Sequence, residues 1–225
     1  MGWVAHQRAW VAAWLLWGAD AAAACVDYAA APGRLVELEA AASRGALGAA
    51  PIACLEESFA RSTEQTVKGK ISRVLLVDAY VSDTARWAQL VSRHLTDVDQ
   101  SDPDIAYLYA LYLYHHDPNA HRVEVLRWSE VALDRKAAWT GQVYTARVNA
   151  LLQLRALTAL ASWKAAEDAA VRDLALRGAA TEARNETKTL AREWLDFARS
   201  AGRDTRSALA LCLSAGSAAA CGEAE

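Results

Sequence analysis

Three features of the sequence predict an all-α fold. Ala makes up roughly one residue in four, against only 11 Gly and 4 Pro, so the best helix former dominates and helix breakers are few. Apolar residues recur at three- and four-residue spacing in almost every segment after the first twenty-five. No window shows the sustained Val, Ile and Thr alternation of a strand. With 225 residues, 54% of them hydrophobic and 23% charged, the chain is long enough for one sizeable core or two small ones. The formal net charge of -3 supplies no positive field for phosphate, which argues against a nucleic-acid partner.

The amino-terminal stretch reads as an export signal spanning 1–24. Met1 to Arg8 carries one Arg and no acid, Ala9 to Trp17 is apolar, and Ala21 to Ala24 places small side chains before Cys25. That order matches what translocation and signal cleavage require. The apolar run is too short to span a bilayer, which takes about 20 apolar residues, and Asp20 interrupts it. The mature chain is therefore expected to be a single helical domain, 25–225, in the periplasm or cell envelope.

The four cysteines, Cys25, Cys54, Cys212 and Cys221, fall into two neighbourhoods, one at each end of that domain. An exported chain with an even count usually pairs its thiols. Four cysteines allow three connectivities, and loop length favours Cys25 with Cys54 and Cys212 with Cys221. Cys25 has a competing reading. Ala22-Ala23-Ala24-Cys25 resembles a bacterial lipoprotein box, although Ala22 stands where that box usually has Leu. Membrane contact is expected only if Cys25 is lipidated.

The helices follow from their punctuation. Pro32-Gly33 opens a first helix that Gly45 closes, and a second runs from about Ile52 to Arg61. Ser62 with Gln65 three residues on forms a capping-box pattern for a third, ending near Val81. Its apolar stripe of Val67, Ile71, Val74 and Leu75 is broken by Asp78. Asp83 caps a fourth helix carrying Trp87, Leu90, Val91, Leu95 and Val98. Asp102-Pro103 and Asp117-Pro118 each start a helix, because Asp accepts from free amides and Pro fits the first helical position. A tightly turned pair is favoured between Thr140 and Leu176. Gly178 then ends that segment, a charged helix runs from about Glu182 to Ala201, Gly202 closes it, and a short helix covers about Thr205 to Leu213.

A spacing of 34 recurs across the middle of the chain. Val91, Leu95 and Val98 are followed by Val125, Ser129 and Ala132, and then by Ala159, Trp163 and Ala166. This pattern resembles the second helix of a tetratricopeptide repeat, and Asp102-Pro103 falls where that repeat usually closes. The resemblance covers about 73–170, with Ala79, Ala110 and Ala146 as the matching small residues of the first helices, and Ser129 departs from the aromatic usual at its position. It implies antiparallel helix pairs stacked as a short α-solenoid, with an irregular helical bundle as the alternative. It also implies protein or peptide binding without catalysis.

Few residues are of types that carry chemistry. His115, His116, Asp117 and His121 are metal-ligand types, but the first two diverge on a helix and Asp117 is expected to cap, so no metal is assigned. Asp97, Asp99, Asp102 and Asp104 lack the Gly and Glu of a calcium loop. No Ser or Cys lies in a glycine-flanked elbow, no glycine-rich phosphate cradle occurs, and the histidines lie far in sequence from any nucleophile. No enzymatic activity and no cofactor are therefore expected.

The candidate binding residues are Tyr107, Tyr109, Tyr112, Tyr114 and Trp139. A helix cannot bury all four tyrosines on one stripe: Tyr107, Leu111 and Tyr114 share one face, and Tyr109, Tyr112 and Leu113 a neighbouring one. One face is expected in the core, and the other is available to a partner. The function expected is an exported, non-catalytic helical repeat module for protein or peptide interaction in the cell envelope. The alternative is a ligand-binding helical accessory protein of a periplasmic transport system.

Overall fold

The computed structural model describes residues 25–28, 30, 31 and 33–222. The expected export signal and Pro32 lie outside them. The described residues form nine α-helices and no strand. These are α1 (Gly33–Ala42), α2 (Ala49–Arg61), α3 (Gln65–Ser82), α4 (Thr84–Asp97), α5 (Pro103–His116), α6 (Arg122–Asp134), α7 (Gly141–Arg172), α8 (Arg177–Ser200) and α9 (Arg206–Ala215). The all-α class is as the sequence predicts. The chain divides into two compact units, Met1–His94 and Leu95–Glu225, with the boundary inside α4.

In the first unit, α3 packs on α1 and α2, and its stripe of Ile71, Val74, Leu75 and Ala79 is buried alongside Leu35, Leu55 and Phe59. Asp78 does not break that stripe, as its charge suggested; it is buried within it and receives a bond from Arg86 at 3.2 Å. Glu56 accepts from Arg93 at 2.7 Å, and the Arg93 guanidinium lies 4.3 Å from the Phe59 ring centroid. Ser62 is not the cap residue of α3. Glu64 occupies the cap position of α3 without a side-chain bond, and Ser62 Oγ accepts from the Glu64 amide. Asp83 does cap α4, accepting from the Ala85 and Arg86 amides.

The second unit is built on the hairpin of α7 and α8, which pack against each other, with α6 and α5 against α7 and α9 against α8. Antiparallel contacts run its length, from Trp194 on Asn149 at 3.1 Å to Arg184 over Trp163 at 5.5 Å. Its core joins Ala106, Ala110 and Leu113 of α5 to Val125 and Ala132, to Leu151, Leu154 and Ala159, and to Leu190, Ala191 and Leu195.

Three expectations change in this unit. The turned pair between Thr140 and Leu176 is one helix of 32 residues, because no Pro or Gly interrupts it after Gly141. It stops where Asp173 accepts from the Ala175 amide and starts a tight turn. Gly178 does not end that segment but lies inside the first turn of α8. Asp117-Pro118 opens a turn and not a helix: Asp117 accepts from the Asn119 and Ala120 amides, and α6 begins at Arg122. The Ala120 amide bond, the largest influence, holds the Asp117 carboxyl below the usual carboxylate range.

Of the residues at 34-residue spacing, Val91, Val125, Ala132 and Ala159 are fully buried, while Val98 and Ala166 are half-buried. Ala79 and Ala110 are fully buried too. Ala146 is exposed and so fills no packing site.

Both cysteine pairs favoured by loop length are joined, Cys25 to Cys54 and Cys212 to Cys221. The second lies in a fully buried setting, under three arginines of α8. Arg184, Arg192 and Arg199 donate to the carbonyls of Ala215, Ala220 and Cys221. A disulfide-bonded Cys25 has no thiol left to carry a lipid. The pairs are of the kind that persists in an oxidising compartment, and among the described residues no helix is long and apolar enough to cross a membrane.

Candidate functional site

The sequence-predicted tyrosines all lie on α5, whose start is fixed by Asp102. That side chain accepts from the Asp104 and Ile105 amides, and Pro103 sits at the first turn. The buried residues of α5 are Ile105, Ala106, Ala110 and Leu113, the last three forming a stripe at spacings of four and three. Small residues on that stripe let neighbouring helices approach closely. Neither tyrosine face is therefore the core. Tyr107, Tyr109, Tyr112 and Tyr114 are all half-buried on the flanks of the alanine stripe.

One flank is closed by a clasp. Trp139, in the connection between α6 and α7, is 6% exposed and stands edge-on to Tyr107 with centroids 6.0 Å apart. Its indole N–H donates to Asp104 Oδ1 at 2.9 Å. Arg147 of α7 donates to the same carboxylate oxygen. Its guanidinium also lies 5.2 Å from the Tyr107 centroid and 5.1 Å from that of Trp139. The cation is neutralised by a carboxylate and faces two π-systems at once, an arrangement that fixes three separate pieces of chain. Tyr107 and Trp139 are thereby positioned as structural groups. Tyr114 does not join them, and its ring meets His115 edge-on at 5.5 Å.

The other flank carries a row of rings. His116 stacks on Tyr112 at 5.5 Å, Tyr112 on Tyr109 at 6.3 Å, and Tyr109 meets Trp128 of α6 at 6.1 Å. Arg127 then lies 4.8 Å from the Trp128 ring centroid. Both ends of the row, His116 and Arg127, are exposed, and Trp128 is half-buried. Burial, followed by the neighbouring Tyr112 and Glu124, pushes the Tyr109 phenol up from its ordinary value. It stays a neutral hydroxyl at physiological pH.

The first unit holds a cleft of about 410 Å³ beside the Cys25–Cys54 disulfide. Tyr28, Val67 and Ile71 form its apolar wall, and Ser58, Arg61 and Glu64 contribute polar groups from the end of α2 and the start of α3. Nothing in the sequence pattern pointed here. The cleft requires the disulfide to bring residues 25–28 against the α2–α3 junction, a contact across 29 positions.

The remaining candidates are dispersed. Among the described residues no three metal-ligand side chains converge. Of the acidic run, Asp102 caps α5, Asp99 accepts from the Ser101 amide and hydroxyl, and Asp104 holds the clasp. The fold also joins a serine and a histidine that sequence distance separated. His94 Nδ1 lies 3.0 Å from Ser72 Oγ, but both side chains are at most 1% exposed, so no substrate reaches them. The roles of Asp104, Arg147 and Trp128 were not read from the sequence. Asp104 looked like ordinary first-turn charge, and Arg147 lies 43 positions away from it.

The chain matches no family model, no curated protein and no solved structure.

Proposed function

We propose that this protein is an exported, non-catalytic helical module that binds a protein or peptide partner in the cell envelope. The observation that carries this reading is the aromatic row on α5 and α6, which ends at both sides in exposed groups, His116 and Arg127. Tyr109 and Arg127 flank the half-buried Trp128 ring, which leaves it little rotamer freedom to lose and suits a contact surface. Trp, Tyr and Arg are also the residue types that dominate interface energetics. The export signal read in 1–24 and the two disulfides are consistent with an oxidising location outside the cytoplasm. The degenerate tetratricopeptide-like spacing adds an analogy to peptide-binding repeats, and it remains an analogy.

Affinity capture from the native envelope, run in parallel with the wild type and with Trp128→Ala, tests the reading. A species retained by the wild type and lost from a folded Trp128→Ala protein supports it. Equal retention by both overturns the role of the row. A second reading, a ligand-binding accessory protein of a periplasmic transport system, is favoured by the cleft beside Cys25–Cys54, whose volume falls in the range of small-molecule sites.

A further inference from the structure

We propose that the tip of the α7–α8 hairpin docks on an anionic phospholipid surface, through an apolar turn set between two arginines. The proposal goes beyond the partner-binding reading and shares no residue with the aromatic row. The tip extends past the neighbouring helices. Arg184 donates to the Ala215 carbonyl at the end of α9, and Glu186 accepts from Arg122 at the start of α6. Leu176 lies a further eight residues toward the tip, about 12 Å at the rise of a helix. Residues 171–179 are all exposed, and the turn Leu174–Leu176 packs on α7 and α8.

The side chains of this turn do not suit contact with water alone. A solvated turn is ordinarily built from Gly, Asn, Asp and Ser. Here Val171, Leu174 and Leu176 are 83%, 63% and 41% exposed within six residues, and a cluster of that kind marks a contact surface where single exposed residues do not. Arg172 closes α7 and Arg177 opens α8, one on each side of the turn. Neither makes an ion pair among the described residues. Asp173 is the one acid between Ala169 and Thr181, and its carboxylate accepts from the Ala175 amide. Two arginines against one aspartate give this stretch a charge of +1, in a chain of net charge -3. The acids Glu167, Asp168 and Glu182 lie further back together with Lys164 and Arg184, so the arginines are the cations nearest the apolar turn.

The size of the patch selects the occupant. A stable protein interface takes about 20 to 30 residues a side, and a tip of nine exposed residues falls well short. A bilayer sets no such requirement. A convex apolar tip enters the headgroup boundary, where binding scales with apolar area and with attraction to anionic lipid. Guanidinium pairs with phosphate through its planar fork while its stem lies along apolar surface. This contact requires no lipid on Cys25.

The test is an NMR titration of the isotope-labelled, disulfide-bonded full chain with bicelles of phosphatidylglycerol and phosphatidylcholine in equal parts, carrying a trace of lipid with a nitroxide headgroup. Signals of residues 171–177 are expected to broaden well before those of Val36 and Val123, which are also exposed. Reading individual residues separates the tip from any lipid contact made elsewhere in the chain. Leu174→Ser with Leu176→Ser, at positions already exposed, should abolish the broadening at the tip, and Val123→Ser should leave it unchanged. Arg172→Gln should raise the lipid concentration for half-broadening about fivefold, the factor one arginine contributes at an anionic surface. Tip signals that broaden no more than Val36 and Val123 overturn the proposal. So does an unchanged response in the double Ser variant or in Arg172→Gln, or an equal response to bicelles of phosphatidylcholine alone. Tip signals that shift with protein concentration in the absence of lipid assign the tip to a second copy of this chain and overturn it as well.

Discussion

The two flanks of α5 are built from the same residue type, yet only one is closed by charge. Around Tyr107 a carboxylate, an indole and a guanidinium satisfy one another, and Trp139 is buried as a result. Tyr112 stacks on both Tyr109 and His116, and the row ends in exposed His116 and Arg127. The difference arises two residues from the helix start. Asp104 faces the connection before α7 and gathers Trp139 and Arg147, whereas on the other flank the acid that acts on Tyr109, Glu124, is the smallest of the three influences on its phenol. Aromatic residues are fixed as structural groups where a shared ion pair holds them, as at Asp104 and Arg147, and they form a row open to the surface where its ends are exposed.

The largest effect should come from removing the indole of the clasp. Trp139→Ala is expected to cost about 3 to 5 kcal/mol, from lost burial together with the cavity left behind. Chemical denaturation measures it, and a loss below about 1 kcal/mol would show that the clasp does not hold the α6–α7 connection. Asp104→Ala should follow at about 1.5 to 3 kcal/mol, the range for hydrogen bonds to a charged group. It leaves both the Trp139 N–H and the Arg147 guanidinium without their acceptor. The Asp104→Ala and Arg147→Ala effects should be strongly non-additive in a double-mutant cycle.

A third substitution probes the close packing between these flanks. Ala132 is fully buried on α6, so Ala132→Leu should overpack the core and cost about 1 to 3 kcal/mol. Ala165, exposed on α7, should accept Leu within about 0.5 kcal/mol. Ala183, in the second turn of α8, is half-buried and makes a poor control. Equal melting temperatures for the two variants would remove the tight-packing site at Ala132.

The smallest effect separates the flanks by pH. The Tyr109 phenol is raised, first by burial. The unfolded chain therefore ionises this group near pH 10 while the folded chain still holds its proton. The stabilising difference is fully present below pH 10 and is lost as pH rises through the folded value. Tyr109→Phe should flatten that part of the alkaline stability curve. An unchanged slope between pH 9.5 and 11.5, roughly the window around the ordinary tyrosine value, would show that the ring is not desolvated.

Much of this architecture was legible from residues alone, because helix formation and capping are local. Ala content and the absence of strand periodicity set the all-α class, and Asp83 and Asp102 mark their helix starts through bonds to amides two and three positions on. The two disulfides followed from loop length. Local rules failed where one sequence signal fitted two outcomes. Nothing within 140–176 distinguished one continuous helix from a turned pair, and Asp117-Pro118 carried the same signal as Asp102-Pro103 while starting only a turn.

What the sequence determined by itself is therefore the class of structure, most helix boundaries and the cysteine pairing. Each depends on contacts within a few residues or on a count of chain between two thiols. Tertiary structure alone decided which tyrosines are fixed and which line a surface, and it alone made the cleft. Those outcomes depend on Asp104 meeting residues 35 and 43 positions away, and on Tyr28 being carried to the α2–α3 junction by the Cys25–Cys54 bond. Sequence periodicity reports the face a side chain occupies, but not which distant charge will be waiting there.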